Sequence, residues 1–315
     1  MVITLKDIGK GSAHGKVILI GEHAVVYGKP AIALPVFSRK VEVTFTKIQG
    51  PIELITEMYS GPLTEAPNQL NGIKDLMSHL TTELKESNQE IRVTVSSAIP
   101  MNRGLGSSAA VSVAIIRAFY DYVDKPLTDE LLRKHAFVAE SVHHNNPSGL
   151  DVETVISDSA IYFIKGDKPS PLNSNLKGYL VIADSGDTGS TSQAVNHFKD
   201  VLHNSNKHDD LDLLGKLSEQ SYQSIIEGDG ISLGKAMNEA HRILKSFEVS
   251  TPVLDDMVSI ALARGALGAK MTGSGLGGCM IALCENDFQA FEVSDALVQS
   301  GAKMAIITNL EAVNE

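Results

Sequence analysis

Apolar side chains recur along this chain with two periods, and the switch between them marks out its elements. Lys40-Val-Glu-Val-Thr-Phe-Thr-Lys47 alternates as a half-buried strand does. Lys16-Val-Ile-Leu-Ile20, Ile91-Arg-Val-Thr-Val95 and Ala160-Ile-Tyr-Phe-Ile164 are short apolar runs that predict further strands. Helices are predicted over about 68–86, from Ser107 to about Val123, and from a Thr128 cap to about His143, where Asn145-Asn-Pro-Ser-Gly-Leu-Asp151 breaks the pattern. The stretch between Gly166 and Lys177 is the richest in turn residues and sets a domain boundary there, giving domains over 1–172 and 173–315. Beyond it come a strand at Tyr179–Ala183, three or four helices, and a closing series of strand, glycine loop, strand, helix and strand. That series predicts an α+β fold, with helices on one face of a mostly antiparallel sheet.

Composition narrows the function classes. The chain has 315 residues, 43% of them hydrophobic and 21% charged, which suits a globular protein with a large core. A net charge of −11 argues against nonspecific binding to nucleic acid or to an anionic membrane, while leaving room for a local basic pocket. No apolar run approaches a transmembrane helix, and Met1-Val-Ile-Thr-Leu-Lys-Asp lacks the layout of a signal peptide. Cys279 and Cys284 are too few for a disulfide framework and have no companions for a zinc site. A cytoplasmic enzyme or binding protein is the expectation.

Pro100-Met-Asn-Arg-Gly-Leu-Gly-Ser-Ser-Ala109 is the most informative stretch. A strand leads into a glycine loop that opens onto a helix with two serines at its mouth. Glycines let backbone N–H groups approach an anion, and a helix N-terminus offers unpaired N–H groups and positive potential. The sequence is not a Walker loop, because Gly-x-x-x-x-Gly-Lys-Ser/Thr does not occur. Serine and glycine are also ordinary helix caps, so the loop alone leaves phosphate binding open.

Three further groups bear on it. Lys16 starts a strand whose end hands Glu22 and His23 to the following loop, where they are either solvated or displayed for function. Glu140 falls in the last turn of a helix, where a carboxylate opposes the dipole; Asp151 follows a tight turn and could be a plain N-cap. Two carboxylates flanking that turn could instead divide a metal-binding and a proton-handling task. Lys270-Met-Thr-Gly-Ser-Gly-Leu-Gly-Gly-Cys279 contains Gly-x-Gly-x-x-Gly, but a strand follows instead of a helix, which excludes a dinucleotide fold. Four glycines between Gly273 and Gly278 exceed what a hairpin needs and suggest close backbone approach to a ligand.

In their order and over essentially the whole chain, these motifs resemble the GHMP kinases, the small-molecule kinases named after galactokinase, homoserine kinase, mevalonate kinase and phosphomevalonate kinase. Gly21-Glu-His-Ala-Val-Val-Tyr-Gly28 and Asn146-Pro-Ser-Gly-Leu-Asp151 are most similar to the family's mevalonate branch. The resemblance implies a ribosomal-protein-S5-like N-terminal domain and a ferredoxin-like α/β C-terminal domain, with the active site in the cleft between them. It implies ATP and Mg²⁺, with phosphoryl transfer to the C5 hydroxyl of mevalonate. Another kinase of the family, such as one acting on phosphomevalonate, or a non-catalytic ligand sensor of the same fold, stays open as an alternative.

Residue by residue, it makes Asp151 the catalytic carboxylate and sets Lys16 beside it, stabilising charge on the transferring group. Pro100, Arg103, Gly104, Leu105, Gly106, Ser107, Ser108 and Ala109 would line the nucleotide phosphates, with Ser108 and Glu140 holding Mg²⁺. Glu22, His23, His143, Thr191, Gly273, Ser274 and Gly275 would face the substrate, His23 being suited to its hydroxyls or its carboxylate. His143 departs from the family, which often has an apolar residue there. The implied partner is a small molecule, not nucleic acid or a membrane, and the sequence leaves a homodimer open.

Overall fold

The alternation at 40–47 is the end of a much longer strand. A computed structural model describes residues 5–83, 90–143 and 148–311, without the side chains at 83 and 141–143. In it the chain divides into two compact units that interleave in sequence. The first comprises residues up to Gly15, Phe37–Pro100 and Gly106–Ile156; the second comprises Lys16–Val36, Met101–Leu105 and the chain from Ser157 onward. Strands β1 (Ile8–Ile20) and β2 (Ala31–Lys47) each run through both, and the turn-rich stretch at 166–177 lies inside the second.

In the first unit, β2 pairs antiparallel with β5 (Ile91–Ser97), which runs parallel to β3 (Glu53–Ile55), itself paired with β4 (Ser60–Pro62). The alternation has its expected result: Val41, Val43 and Phe45 are buried while Glu42 is exposed. Helices α1 (Asn71–Glu83), α2 (Ser107–Tyr122), α3 (Asp129–His143) and α4 (Leu150–Ile156) belong to this unit. The apolar run of α2 buries Ala110, Val113, Ala114 and Ile116, and its Phe119 meets Phe45 edge-on at 5.7 Å. Thr128 accepts a hydrogen bond from Leu131 N at 3.2 Å, the capping contact its position predicted.

The second unit contains β6 (Ile161–Phe163), β7 (Ser170–Pro171), β8 (Tyr179–Asp184), α5 (Thr191–Asn204), α6 (His208–Glu227), α7 (Gly230–Ser246), α8 (Pro252–Ala263), β9 (Gly268–Thr272), β10 (Cys279–Cys284), α9 (Asp287–Gln299) and β11 (Met304–Asn309). The last four strands form an antiparallel sheet in the order β11-β8-β10-β9. With helices between β8 and β9 and between β10 and β11, this is the βαββαβ ferredoxin-like arrangement. Side chains of Ser190, Asp229, Thr251 and Asn286 cap α5, α7, α8 and α9. His241 of α7 accepts from Met271 N at Nδ1 (3.3 Å) and faces Asp255 with Nε2 (3.3 Å); burial lowers its pKa to about 4, so the ring is neutral. Both cysteines are free and buried, and burial pushes their thiols up, so neither forms a reactive thiolate. No helix among the described residues is long and apolar enough to cross a membrane.

The first half of β1 has no strand signal, because Gly9-Lys-Gly-Ser-Ala-His-Gly15 neither alternates nor carries branched side chains. Packing explains its glycines. A Cβ at Gly9 would fall 2.5 Å from Tyr122 Cβ, and one at Gly11 would fall 2.3 Å from Ala114 O, so the strand lies directly on the α2 backbone. Arg117 adds a bond from Nη1 to Ser12 O at 2.7 Å. Replacing Gly11→Ala is expected to destabilise the protein by about 1–3 kcal/mol, the usual cost of overpacking, measured by urea unfolding. An unchanged midpoint would contradict this packing account.

Candidate functional site

In the second unit, the segments bearing three of the motifs meet. Lys16 is buried in β1, and its backbone N donates to Leu105 O at 3.0 Å, tying the Met101–Leu105 segment to the strand. At the end of β1, Thr272 Oγ1 donates to Ile18 O at 2.8 Å. Glu22 accepts at Oε1 from Lys270 Nζ, which also donates to Met271 O at 2.7 Å. The Lys270 side chain is 0% exposed and that of Glu22 1%, so this is an ion pair inside the protein. Burial pushes the Glu22 carboxyl up and the Lys270 ammonium down, and their mutual attraction opposes both shifts. Glu22 Oε2 is buried with no hydrogen-bond partner among the described residues.

His23 sits in the left-handed region at φ 58°. Its ring stacks on Phe198 at 4.7 Å, and Phe198 stacks on Phe247 at 4.1 Å. Nε2 lies 2.9 Å from Ser274 O, and a carbonyl oxygen only accepts, so the proton is on Nε2. Burial lowers the pKa to about 4, making the ring neutral at physiological pH. His23 therefore has no positive charge to offer a carboxylate. Its Nδ1 is an acceptor, suited to a hydroxyl.

The glycine loop after β9 is shaped by its neighbours in the protein. Gly104 (φ 79°) and Gly273 (φ 80°) pack backbone to backbone; a Cβ on Gly273 would lie 2.9 Å from Gly104 Cα. Added Cβ atoms at Gly275, Gly277 and Gly278 would lie 2.1 Å from Val249 O, 2.7 Å from Asp187 O and 3.0 Å from Arg103 O. Chain packing thus accounts for the glycines that the sequence attributed to a ligand. Thr191 Oγ1 reaches Ser274 Oγ at 3.4 Å. Arg103 directs Nε to Asp184 Oδ2 at 3.2 Å, and its Nη1 is buried without a partner among the described residues. Its guanidinium braces this loop region.

The first unit holds a recess lined by hydroxyl and carboxylate side chains. Ser108, Ala109 and Ser112 of α2, Ala136 and Glu140 of α3, and Asp151 and Val152 of α4 line one recess. The N-cap of α2 is Gly106 at φ 71°, and no side chain caps this end among the described residues. Ser107 and Ser108 are therefore first-turn residues and not caps, and the helix start presents N–H groups to an anion. Asp151 is likewise inside α4, where Ser148 Oγ accepts from Leu150 N at 3.3 Å, so its carboxylate is not an N-cap. The His143 side chain and residues 144–147, including the start of the Asn146–Asp151 motif, lie outside the described residues.

A serine hydroxyl and two carboxylates around one recess form an all-oxygen donor set that fits Mg²⁺. Lys270 is the residue that sequence reasoning missed. Its signal was a lysine at the centre of an apolar strand, directly before the glycine loop.

The chain matches the family models for the GHMP kinase N-terminal domain over residues 71–158 and the GHMP kinase C-terminal domain over 221–303. It is 32% identical to a mevalonate kinase of Thermococcus gammatolerans, with 92% of each chain covered. Among solved structures it resembles a mevalonate kinase from methicillin-resistant Staphylococcus aureus MRSA252 (33% identity, TM-score 0.74, 97% of this chain and 99% of that one). A Streptococcus pneumoniae phosphomevalonate kinase in complex with phosphomevalonate and AMPPNP shares the fold at 15% identity (TM-score 0.82, 95% and 99% covered). With a serine-and-carboxylate recess at an open helix start and both family models matched in order, the chain belongs to the GHMP kinase family.

Proposed function

We propose that this chain transfers the γ-phosphoryl group of ATP to the C5 hydroxyl of mevalonate, giving 5-phosphomevalonate and ADP. The observation that carries this reading is the recess of Ser108, Glu140 and Asp151 at a helix start that no side chain caps. The mevalonate kinase relatives support the choice of acceptor, since the phosphomevalonate kinase likeness extends to the fold alone.

Phosphoryl transfer asks little covalent chemistry of a protein and depends on positioning and charge stabilisation. The Pro100–Ala109 loop and the first turn of α2 bind the phosphate oxygens, with Arg103 bracing the loop on Asp184. Ser108 and Glu140 would hold Mg²⁺, which would neutralise phosphate charge. Asp151 orients the C5 hydroxyl and accepts its proton as the oxygen–phosphorus bond forms and ADP leaves. Lys16 stabilises the negative charge spread over the transferring group. Glu22, His23, Thr191 and the Gly273-Ser-Gly275 segment recognise the acceptor.

Three measurements test this. Across mevalonate, phosphomevalonate, galactose and homoserine, coupled ADP release is expected with mevalonate alone; release with another acceptor, or binding without release, would replace the proposal. Asp151→Asn should lower kcat by about 10² or more while ATP binding survives in calorimetry. Near-normal turnover would remove Asp151 from the chemistry. Ser108→Ala and Glu140→Gln should each raise the Mg²⁺ concentration needed for half-maximal rate, and an unchanged Mg²⁺ dependence in both would refute their metal role.

A further inference from the structure

Lys270 has no part in the reaction as set out above, yet it is a fully buried cation in the middle of β9. Holding two segments together does not require charge. A well-packed apolar pair of the same volume is often as stable as a buried ion pair or more so, because it avoids the desolvation of two ions. The pair is also incomplete, since Oε1 of Glu22 is held by Lys270 while Oε2 is buried without a donor among the described residues. Buried carboxylate oxygens are nearly always hydrogen-bonded, so Oε2 is an acceptor in want of a donor. The adjacent His23, neutral and donating from Nε2 to Ser274, contributes a second acceptor at Nδ1.

We infer that Lys270 is a positioning residue for acceptor recognition, holding Glu22 by Oε1 so that Oε2 receives a hydrogen bond from a hydroxyl of the hydroxy-acid substrate. The inference rests on the mevalonate reading above. An unpartnered carboxylate oxygen beside a neutral imidazole whose Nδ1 is an acceptor selects a hydroxyl. The ammonium has a second effect. Mevalonate carries its own carboxylate, and Glu22 without Lys270 would repel it, with only the weaker attraction of Lys16 to offset that charge; paired with Lys270, Glu22 contributes an oxygen acceptor without net charge. Lys270 thus makes a carboxylate usable in a site for an anion.

The test is steady-state ADP release by the full chain with mevalonate and ATP, comparing wild type, Lys270→Met, Glu22→Gln and the double variant. Lys270→Met is expected to raise KM for mevalonate by about 10-fold to 100-fold, as a bare like charge a few ångströms away would. KM for ATP should stay within about twofold, a split that a general loss of structure would not produce. Because Lys270 acts through Glu22, the double variant should have the mevalonate KM of Glu22→Gln alone. An unchanged mevalonate KM in Lys270→Met overturns the inference, as does a double variant about tenfold worse than Glu22→Gln. Thermal melts show which variants fold. If Lys270→Met, left with a lone buried carboxylate, does not fold, the comparison of the double variant with Glu22→Gln decides. Wild-type protein without mevalonate-dependent ADP release overturns the functional reading itself, and so is told apart from a failure seen only in the variants.

Discussion

One buried ion pair, Glu22 and Lys270, joins the end of β1 to β9 inside the second unit, across 248 positions of the chain. Either charge alone in that interior would cost several kcal/mol, so neither segment reaches its native environment without the other. Once they meet, the surrounding geometry follows from short-range bonds. Thr272 ties to Ile18, His23 to Ser274, and Gly104 packs against Gly273. The end of an N-terminal strand, a loop from the middle of the sequence and a C-terminal glycine loop are thereby fixed as a single body.

That body and the recess of the first unit divide the chemistry by type. The first unit supplies hard oxygen ligands and an open helix start, features that suit a metal ion and phosphate. The second supplies a lysine, a compensated carboxylate and a neutral imidazole, features that suit a hydroxylated anion. In the second group, burial keeps His23 neutral and pairs Glu22 with Lys270.

How much of this the sequence made legible depended on whether the determining contact was local. The strand at 40–47 and the helix from Ser107 follow from periodicity, because one face of each meets a core and the other does not. The first half of β1 was hidden because its glycines answer to the α2 backbone, a tertiary neighbour with no trace in the local pattern. The glycine loop was visible as an excess of glycine, but the backbones of Arg103, Asp187 and Val249 that it packs against come from distant segments and left no local trace. Asp151 stayed between a cap and an acid until its place inside α4 excluded the cap. Lys270 was in plain view as a charge in an apolar strand, and only its distant partner gave it meaning.

The neutrality of two histidines has a consequence for acid tolerance. His23 and His241 have pKa values of about 4 in the folded protein against 6.5 for an ordinary histidine. Between those values the unfolded chain binds a proton at each ring and the folded chain does not. Acidification through that window therefore favours unfolding, with the loss complete once the pH reaches the folded values. Glu22, raised by burial, works in the opposite sense, because the folded state takes up its proton more readily than the unfolded one. Protonation of His241 at Nδ1 removes the acceptor of Met271 N, so acid weakens the strand leading into the glycine loop, while His23 keeps its Nε2 donor to Ser274. The burial that gives His23 its acceptor nitrogen thus also sets a lower pH limit on the fold that displays it.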